Sequence, residues 1–402
     1  TERKMKKDTR KHVLGLGVLM GCLFAVSSPL QAQNATGVTD REILIGSCSA
    51  LEGPSHFRGT ETVTGAKAYF AMINDAGGVD ERKLKLITYD DSYDPAKTEA
   101  CFNRLMEQNV FALAFFVGTP TAVKYIPMAE SNKIPLVGLF TGAQTLYVPL
   151  RHWIVNVRAS YFDETREQID GMWGTLGYKK IGVIYPEDAF GAAVLDGVKT
   201  ALKRHGTEPI AVASYQRQTA QVGGAIDTVR AAKPDAVVLV GPANTVAPIL
   251  KQSHAKGWKP LFLTVSFVGT DDLIAEAGAD SDGVVITQVV PPYYLTDYKT
   301  VALYRRELTK YFPSAQPNFV SLEGFVDAMV LVEGLKRAGK DLTREGLIRG
   351  IESIHEHDLG LGPQLKLNYS SKEHKGFDHV LPTVVRGGRA VPFTDWSTAV
   401  PK

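Results

Sequence analysis

Apolar runs alternate with amphipathic stretches along most of the chain. The run EILIGSCSA precedes the helical pattern TVTGAKAYFAMINDAG, and KLKLITYDD precedes PAKTEACFNRLMEQN. FALAFFVG and IPLVGLF continue the same alternation. Strands of nearly continuous Val, Ile, Leu and Phe are typical of a parallel sheet that helices cover on both faces. Right-handed β-α-β connections between such strands predict an open, doubly wound α/β lobe.

The alternation restarts after WIVNVRAS, where the strands KIGVIYP, AVVLVG and PLFLTVS are separated by helical patterns. This second set predicts another lobe of the same kind. Near the end, LKLNYSSKEHKGFDHVLPTVVRGGRAVPFTDW alternates like antiparallel strands, with Gly387 and Gly388 as a hairpin turn. Because ligand-binding loops follow the carboxyl ends of parallel strands, we expect a site in the cleft between two lobes.

The beginning of the chain has the pattern of an export signal. Residues 6–11 are basic, residues 12–26 are apolar, and residues 27–33 are small and polar. This pattern predicts a signal peptide over residues 1–33 and a periplasmic protein. The stretch LMGC resembles a lipoprotein cleavage site, so a lipid anchor at Cys22 is an alternative. No later apolar run is long enough to span a bilayer, so the exported chain is not expected to be transmembrane itself.

Composition narrows the class of partners. The 402 residues include 45 Lys and Arg against 43 Asp and Glu, a net charge of +2, which argues against a nucleic-acid partner. We expect a monomer. Cys48 and Cys101 remain after signal removal, and an exported chain allows either a disulfide between them or two buried thiols.

The sequence carries no motif for a cofactor, a metal or catalysis. In IGSCSALEGPSHFRG the glycines do not have phosphate-loop spacing, and Pro54 removes a backbone donor. This loop is either one wall of an organic-ligand pocket or an ordinary strand–helix turn. Residues 355–358 (HEHD) lack a third metal ligand, and residues 90–94 (DDSYD) lack the glycine and distal Glu of a calcium loop. We interpret the first as a solvated loop and the second as a strand end with Asp94 at a helix start.

Seven motifs occur in a characteristic order: ILIGSCSALEGP, INDAGGV, LITYDDSYDPAKT, IPLVGLFTGAQTL, NVRASYFDE, LGYKKIGVIYPEDAFG and FVSLEGFVDAMVLVEGLKRAG. With them, residues 40–396 resemble the type I periplasmic binding proteins of ABC importers, the leucine/isoleucine/valine-binding class. The resemblance implies two doubly wound parallel-sheet lobes joined by a three-stranded hinge, the Venus-flytrap fold. It places residues 38–156 plus 290–360 in lobe 1 and residues 157–289 plus 361–396 in lobe 2. The three crossings would lie near residues 155–158, 289–293 and 359–363.

The resemblance also implies a set of ligand-binding residues. In lobe 1 they are Phe57, Arg58, Thr119, Pro120, Thr121, Phe140, Thr141 and Gly142, and in lobe 2 they are Tyr161, Phe190, Asn244, Ser266 and Phe267. Hydroxyl and N–H donors would bind a carboxylate, and Arg58 would add a bidentate cation. The rings would form an apolar wall. As alternatives, Phe140 and Phe267 are core residues and Arg58 is a solvated residue at the lip of the cleft.

One departure from the family pattern bears on the ligand. Amino-acid-binding members hold the ligand's ammonium with acidic side chains in the second lobe, whereas Tyr161 and Phe267 stand at those positions here. The hypothesis is a ligand with a carboxylate or amide and an apolar or aromatic body, not necessarily an amino acid. The resemblance implies delivery of this ligand to ABC permease membrane subunits, without a cofactor and without catalysis. A ligand-sensing periplasmic receptor is the alternative, and a nucleotide-dependent enzyme is disfavoured by the missing phosphate fingerprint.

Overall fold

The computed structural model describes residues 35–400. The predicted signal peptide and Cys22 therefore lie outside the described residues. Within 35–400, none of the helices combines the length and the apolar character that crossing a bilayer requires.

The first lobe is built on a sheet of five parallel strands in the order β2-β1-β3-β4-β5. Its strands are β1 (Glu42–Ser49), β2 (Lys83–Asp90), β3 (Ala112–Ala114), β4 (Leu136–Val137) and β5 (Ile154–Val155). Most side chains of β1 and all those of β3 are buried, as the continuous apolar runs predicted. Crossovers from β1 to β2 and back to β3 give the doubly wound order expected from the sequence.

The second lobe is built on a seven-stranded sheet in the order β14-β13-β10-β9-β8-β6-β7. Its strands are β6 (Ile181–Pro186), β7 (Ala211–Tyr215), β8 (Ala236–Leu239), β9 (Leu261–Thr264), β10 (Val285–Gln288), β13 (Leu381–Arg386) and β14 (Arg389–Pro392). Strands β6 to β10 pair in parallel, whereas β13 pairs antiparallel with both β10 and β14. Gly387 and Gly388 connect β13 to β14 with positive φ angles, which confirms the predicted hairpin. A separate two-stranded sheet pairs β11 (His357–Asp358) with β12 (Lys366–Leu367).

Eleven α-helices are described between residues 35 and 400. They are α1 (His56–Asp75), α2 (Pro95–Glu107), α3 (Thr119–Ser131), α4 (Tyr161–Gly171), α5 (Ala189–Lys203), α6 (Gly223–Ala231), α7 (Ala243–Ala255), α8 (Thr270–Ala277), α9 (Lys299–Tyr311), α10 (Phe319–Ala338) and α11 (Arg344–Glu352). Helix α2 begins at Pro95 with the Asp94 side chain accepting from the N–H of Ala96, which confirms the predicted helix start.

A disulfide joins Cys48 at the end of β1 to Cys101 in α2. The sequence left open whether these residues pair, because only the fold decides whether two cysteines approach each other. The Cα atoms are 6.0 Å apart, within the range a disulfide requires.

The chain crosses between the lobes at one side of the molecule. The first crossing follows β5, and the second follows β10. The third runs beside the first, because the N–H of Gly376 donates to Asn156 O at 2.9 Å and the N–H of Phe377 donates to Val157 O at 2.8 Å. Ala159, Val289 and Val380, one residue from each crossing, pack together in a small buried cluster.

The third crossing differs from the expectation, which put it near residues 359–363. Before crossing, the chain forms β11 and β12 and buries Leu361, Leu365, Leu367 and Tyr369 in the apolar core of the first lobe. These side chains keep the segment with the first lobe until about residue 375. The predicted division at residue 360 therefore assigned a stretch to lobe 2 that packs with lobe 1.

The lobes are closed on each other in this structure. One apolar core belongs mainly to the first lobe, where α1 packs along α10, and it also takes in Ala390 of β14. A second core runs without interruption across the cleft, since it contains Tyr93 and Phe140 of the first lobe and Phe190 and Phe267 of the second.

Candidate functional site

Nearly all of the predicted site residues stand where a helix or a short turn follows a strand. Phe57 and Arg58 lie in the first turn of α1, and Thr119, Pro120 and Thr121 form the first turn of α3. Tyr161, Phe190 and Asn244 lie in the first turns of α4, α5 and α7. Ser266 and Phe267 lie in a short 3-10 helix after β9, and Phe140, Thr141 and Gly142 follow β4. Helix N-termini present unpaired N–H groups, so this arrangement favours an anionic group in the cleft.

A layer of aromatic rings brings the two lobes together. The centroid of the Phe267 ring lies 4.5 Å from that of Phe190, 5.6 Å from that of Phe140 and 5.7 Å from that of Tyr93. The Tyr161 and Phe190 rings are 5.4 Å apart. Sequence analysis predicted four of these rings and missed Tyr93.

The closed cleft leaves little room between these rings. A cavity of about 10 Å³ is lined by Tyr93, Phe190 and Arg217 among others, whereas organic ligands occupy roughly 300–1,000 Å³. A larger cavity of about 580 Å³ lies on the second lobe, beside His254 and Phe262. None of the predicted site residues lines that larger cavity, so it is a separate feature of the surface.

Arg58 connects the two lobes from a completely buried position. Its side chain is 0% exposed, so the alternative of a solvated lip residue is wrong. Its Nη1 donates to Val268 O at 2.8 Å and lies 3.5 Å from Asp272 Oδ2. Its Nε and Nη2 have no hydrogen-bond partner among the described residues. Burial lowers the pKa of Arg58, and the nearby Asp272 carboxylate opposes this effect.

The first-lobe hydroxyl groups divide into paired and unpaired ones. The Thr119 and Thr141 hydroxyls bond to each other at 2.7 Å, and that of Thr121 donates to Val117 O and Gly118 O. The hydroxyl of Ser55, just before α1, is buried and has no hydrogen-bond partner in the described part of the chain. Gly142 accepts from the N–H of Tyr161 at 2.7 Å, a backbone bond across the lobes. The three predicted first-lobe hydroxyls, those of Thr119, Thr121 and Thr141, thus already have partners within the protein.

In the second lobe, Ser266 is engaged by the protein itself. Its N–H donates to Glu164 Oε2 at 2.7 Å and its hydroxyl donates to Glu164 Oε1 at 2.9 Å. Arg158 also donates to the Ser266 hydroxyl. Asn244 Oδ1 is buried and has no partner between residues 35 and 400. Its neighbour Thr245, and not Asn244, lines the small cavity beside Phe190.

A buried charge cluster lies at the hinge side of the cleft; the sequence indicates Glu323 as an acid in an apolar helix but not its partners. Arg158 lies 3.4 Å from Glu164 and 3.4 Å from Glu323, and Asp327 lies one helical turn beyond Glu323 on α10. Burial raises the pKa of Glu323 to about 7 and that of Asp327 well above its usual value. Burial alone would lower the pKa of Arg158, but the Glu323 and Glu164 carboxylates raise it. The available sequence signal was two acids four residues apart, Glu323 and Asp327, in the apolar first part of α10.

The HEHD and DDSYD stretches do not assemble a metal site. Between residues 35 and 400, no three His, Cys, Asp or Glu side chains lie close enough together to hold a metal ion. In DDSYD the carboxylates instead accept backbone N–H groups of the same turn, as in the bond from Tyr93 N to Asp91 Oδ1 at 2.9 Å.

Comparison with known proteins identifies the family. A family profile described as "Periplasmic binding protein" matches residues 42–381. The amino acid binding protein of Pseudomonas aeruginosa is 24% identical over 303 residues, covering 74% of this chain and 77% of the relative. The Leu/Ile/Val-binding protein of Escherichia coli K12 is 20% identical over 280 residues, covering 69% of this chain and 74% of the relative.

Solved structures with a similar fold match most of this chain. A protein of Rhodopirellula baltica described as a possible leucine/isoleucine/valine-binding protein has a TM-score of 0.84 at 30% identity, covering 92% of this chain and 100% of the other. A branched chain amino acid ABC transporter protein of Thermus thermophilus with bound valine has a TM-score of 0.80 at 20% identity. The match covers 89% of this chain and 97% of the other. A fatty acid ABC transporter substrate-binding protein of Thermomonospora curvata has a TM-score of 0.82 at 22% identity. The match covers 90% of this chain and 94% of the other.

The two parallel-sheet lobes are those of the type I periplasmic binding protein structures. The chain belongs to the periplasmic binding protein family, in its leucine/isoleucine/valine-binding class. Because this family and these neighbours are binding proteins, the chain is a substrate-binding protein and not an enzyme.

Proposed function

We propose that this protein captures a small organic acid or amide in the cleft between its lobes, in the periplasm, and delivers it to ABC permease membrane subunits. Arg58 carries this proposal. Its guanidinium is 0% exposed, and its Nε and Nη2 have no acceptor among the described residues. Buried donors without an acceptor are energetically costly, so this site favours the binding of an acceptor. A bound carboxylate would accept hydrogen bonds from both nitrogens.

The two unpaired nitrogens of Arg58 are the pair that suits a carboxylate. Nε and Nη2 lie on the same edge of the guanidinium, so their N–H bonds run side by side and can donate to both oxygens of one carboxylate. Nη1, on the other edge, is occupied by Val268 O. Because Val268 belongs to the second lobe, this hydrogen bond forms when the lobes close, and it fixes the guanidinium with its Nε and Nη2 side free.

The apolar body of the ligand would lie against the rings of Phe140, Phe190 and Phe267. These rings contact one another in the closed cleft, so a ligand must separate some of them as it binds. Stacking on separated rings replaces the apolar contacts that are lost. The valine and fatty acid named for two structural neighbours share this chemistry, a carboxylate on an apolar body.

The acid closest to the predicted second-lobe site residue Ser266 does not suit an ammonium group. Glu164 is the acid beside Ser266, but both of its oxygens accept hydrogen bonds, from Ser266, from the Thr287 hydroxyl at 2.7 Å and from Arg158. Binding an ammonium there would break those bonds. The engaged Glu164 therefore supports a ligand without an amino group.

Calorimetric titration with leucine and its analogues tests the ligand class. The probes are 4-methylpentanoate, 4-methylpentanamide, 4-methylpentan-1-ol and L-leucine. We expect the acid to bind more tightly than the alcohol and leucine, and Arg58→Met to weaken acid binding by roughly a hundredfold. Arg104→Met is the matched control, because Arg104 lies on the outer surface of the first lobe against Tyr89. Tight binding of leucine alone would contradict the proposed ligand.

Uptake measurements test delivery separately from binding. Cells that lack this protein should lose uptake of the ligand found by titration, and the wild-type gene should restore it. Uptake that continues unchanged without the protein, while the purified protein still binds the ligand, would contradict delivery and favour a sensing role.

A further inference from the structure

The DDSYD segment at the end of β2 and before α2 has an unusual backbone. Ser92 and Tyr93 both have positive φ angles, +50° and +56°, a region that residues other than glycine rarely adopt. Asp90 and Asp91 fix this conformation, since Asp90 Oδ1 accepts from the N–H of Ser92 at 2.9 Å and Asp91 Oδ2 accepts from the Thr98 hydroxyl at 2.7 Å. The result is a turn that holds one side chain, that of Tyr93, in a fixed direction.

That direction is into the cleft. The Tyr93 ring lies against Gly118, where any side chain would collide with it, and it packs beside Phe267 of the second lobe. The side chain is 2% exposed, yet its hydroxyl has no hydrogen-bond partner among the described residues. A buried hydroxyl without a partner is costly, so a core role alone does not account for a tyrosine here.

Arg217 of the second lobe reaches across the cleft to the same residue. Its Nη2 donates to the carbonyl oxygen of Tyr93, and its guanidinium lies 4.4 Å from the centre of the Tyr93 ring. Its Nε lies 3.1 Å from Asp188 Oδ2, and Asp188 caps α5 by accepting from the N–H of Gly191 at 2.9 Å. Phe190 stands in this first turn of α5, so Arg217 links Tyr93 to a ring on the opposite wall of the cleft.

Tyr93 and Arg58 approach the ligand position together. Both border the Phe267 ring, at 5.7 Å for the Tyr93 ring and 5.8 Å for the Arg58 guanidinium. Burial raises the pKa of Tyr93 strongly, so its hydroxyl keeps the proton that it would donate. A carboxylate has more acceptor positions than the two that an arginine edge uses, so a hydroxyl donor can bind it at the same time.

We propose that Tyr93 is a specificity-determining residue whose hydroxyl donates to the same carboxylate as Arg58, and that Arg217 holds Tyr93 in place only when the lobes are closed. This inference rests on the proposed function. Tyr93 thus contributes directly to the recognition of an acid, and Arg217 is a positioning residue that couples this recognition to closure.

Two substitutions separate the two roles. Tyr93→Phe removes the hydroxyl but keeps the ring and the carbonyl oxygen that Arg217 uses. Arg217→Met removes the contact across the cleft but keeps the hydroxyl. Tyr89→Phe and Arg104→Met are matched controls, because these residues form a similar stack, 3.8 Å from guanidinium to ring centre, within the first lobe alone.

Calorimetric titration with 4-methylpentanoate and 4-methylpentanamide measures the Tyr93 role. Tyr93→Phe should weaken binding of the acid roughly tenfold or more, and binding of the amide less, because a hydrogen bond to a charged acceptor is the stronger one. Its unfolding temperature should stay close to that of the wild type. Equal affinity of wild type and Tyr93→Phe for the acid would overturn the Tyr93 role and leave the proposed function intact. A wild-type protein that binds neither probe would overturn both.

Distances between the lobes measure the Arg217 role without any ligand. Spin labels at Glu99→Cys on α2 and Thr228→Cys on α6, both exposed positions, report how far the lobes are apart. Arg217→Met should lower the closed fraction and raise the dissociation rate of 4-methylpentanoate, whereas Arg104→Met should change neither. A closed fraction that Arg217→Met leaves unchanged would overturn this role, whatever the ligand.

Discussion

Arg58 and Arg158 are both almost completely buried, but their surroundings differ. Arg158 is 1% exposed and lies 3.4 Å from each of two buried carboxylates, those of Glu164 and Glu323. Arg58 lies 3.5 Å from one carboxylate, that of Asp272, whose side chain is 18% exposed. Within residues 35–400, each guanidinium has two nitrogens without a hydrogen-bond partner, Nε and Nη2 in Arg58 and Nε and Nη1 in Arg158. The number of buried carboxylates nearby is therefore what differs between them.

This difference indicates that the charge of Arg158 stabilises the fold, whereas that of Arg58 binds the proposed ligand. Taking a charge out of water is costly, and the protein compensates it either with its own groups or with those of a ligand. At Arg158 the compensation is internal and ties the first crossing to α4 and α10. At Arg58 the compensation is incomplete until an acceptor arrives. Neither burial nor unpaired donors therefore distinguish the two roles, but the number of buried carboxylates beside each guanidinium does.

Loss of Arg158 should have the largest effect. Arg158→Met leaves Glu164 and Glu323 buried beside each other without a cation, which is expected to lower the free energy of unfolding by about 3–5 kcal/mol. Urea denaturation measures this change. Arg158→Met combined with Glu323→Gln should recover part of the loss, because the double variant has one fewer buried carboxylate. A loss below about 1 kcal/mol would mean that the cluster is not a structural tie.

The pH dependence of stability should be the next largest effect. Glu323 has a pKa of about 7 in the folded protein against 4.5 ordinarily, because of burial first and the Glu164 charge as well. Between these two values the folded state holds a proton that the unfolded state has released. Stability from this group is therefore complete below pH 4.5 and falls, by up to roughly 1.4 kcal/mol per pH unit, as the pH rises to 7.

Urea denaturation at pH 5, 6 and 7 tests whether the free energy of unfolding falls as the pH rises. Glu323→Gln should flatten the decline, and Asp327, whose pKa burial also raises, should account for part of what remains in the same direction. Glu356→Gln is the control, since Glu356 is exposed. An unchanged decline in Glu323→Gln would assign the pH dependence to other groups.

Loss of Arg58 should affect stability less than loss of Arg158. Arg58→Met removes unpaired N–H groups as well as a cation, and the remaining Asp272 carboxylate can reach water. We expect the free energy of unfolding to change by no more than about 1 kcal/mol, while carboxylate binding weakens roughly a hundredfold. A loss as large as that of Arg158→Met would erase the distinction between the two arginines.

The smallest effect is expected at Asp272. Asp272→Asn keeps the shape of the side chain and removes its charge, and the contact with Arg58 is long at 3.5 Å and partly exposed. Stability should change by less than about 0.5 kcal/mol. Acid binding should not weaken, because the ligand then becomes the main counter-charge for Arg58; a marked loss of affinity would show that Asp272 positions Arg58.

Sequence patterns predicted what depends on neighbouring residues. The two sheets, the hairpin at Gly387 and the helix start at Pro95 follow from local periodicity and turn chemistry. The family motifs predicted Arg58 and most of the rings at helix starts. Contacts between distant residues were not predictable in this way, because no local pattern encodes that Arg158 contacts Glu323 or that Arg217 contacts Tyr93. The same reason left the Cys48–Cys101 pair open and misplaced the third crossing, where buried leucines keep the chain on the first lobe.

The ring-filled cleft has a consequence for the speed of binding. Because the closed form leaves only about 10 Å³ between Tyr93, Phe190 and their neighbours, a ligand enters only after the lobes separate. At low concentration the association rate rises with the amount of ligand, but at high concentration it levels off at the rate of opening. Chemically different ligands should then approach the same limiting rate, so the protein itself sets the upper limit on how fast it can be loaded.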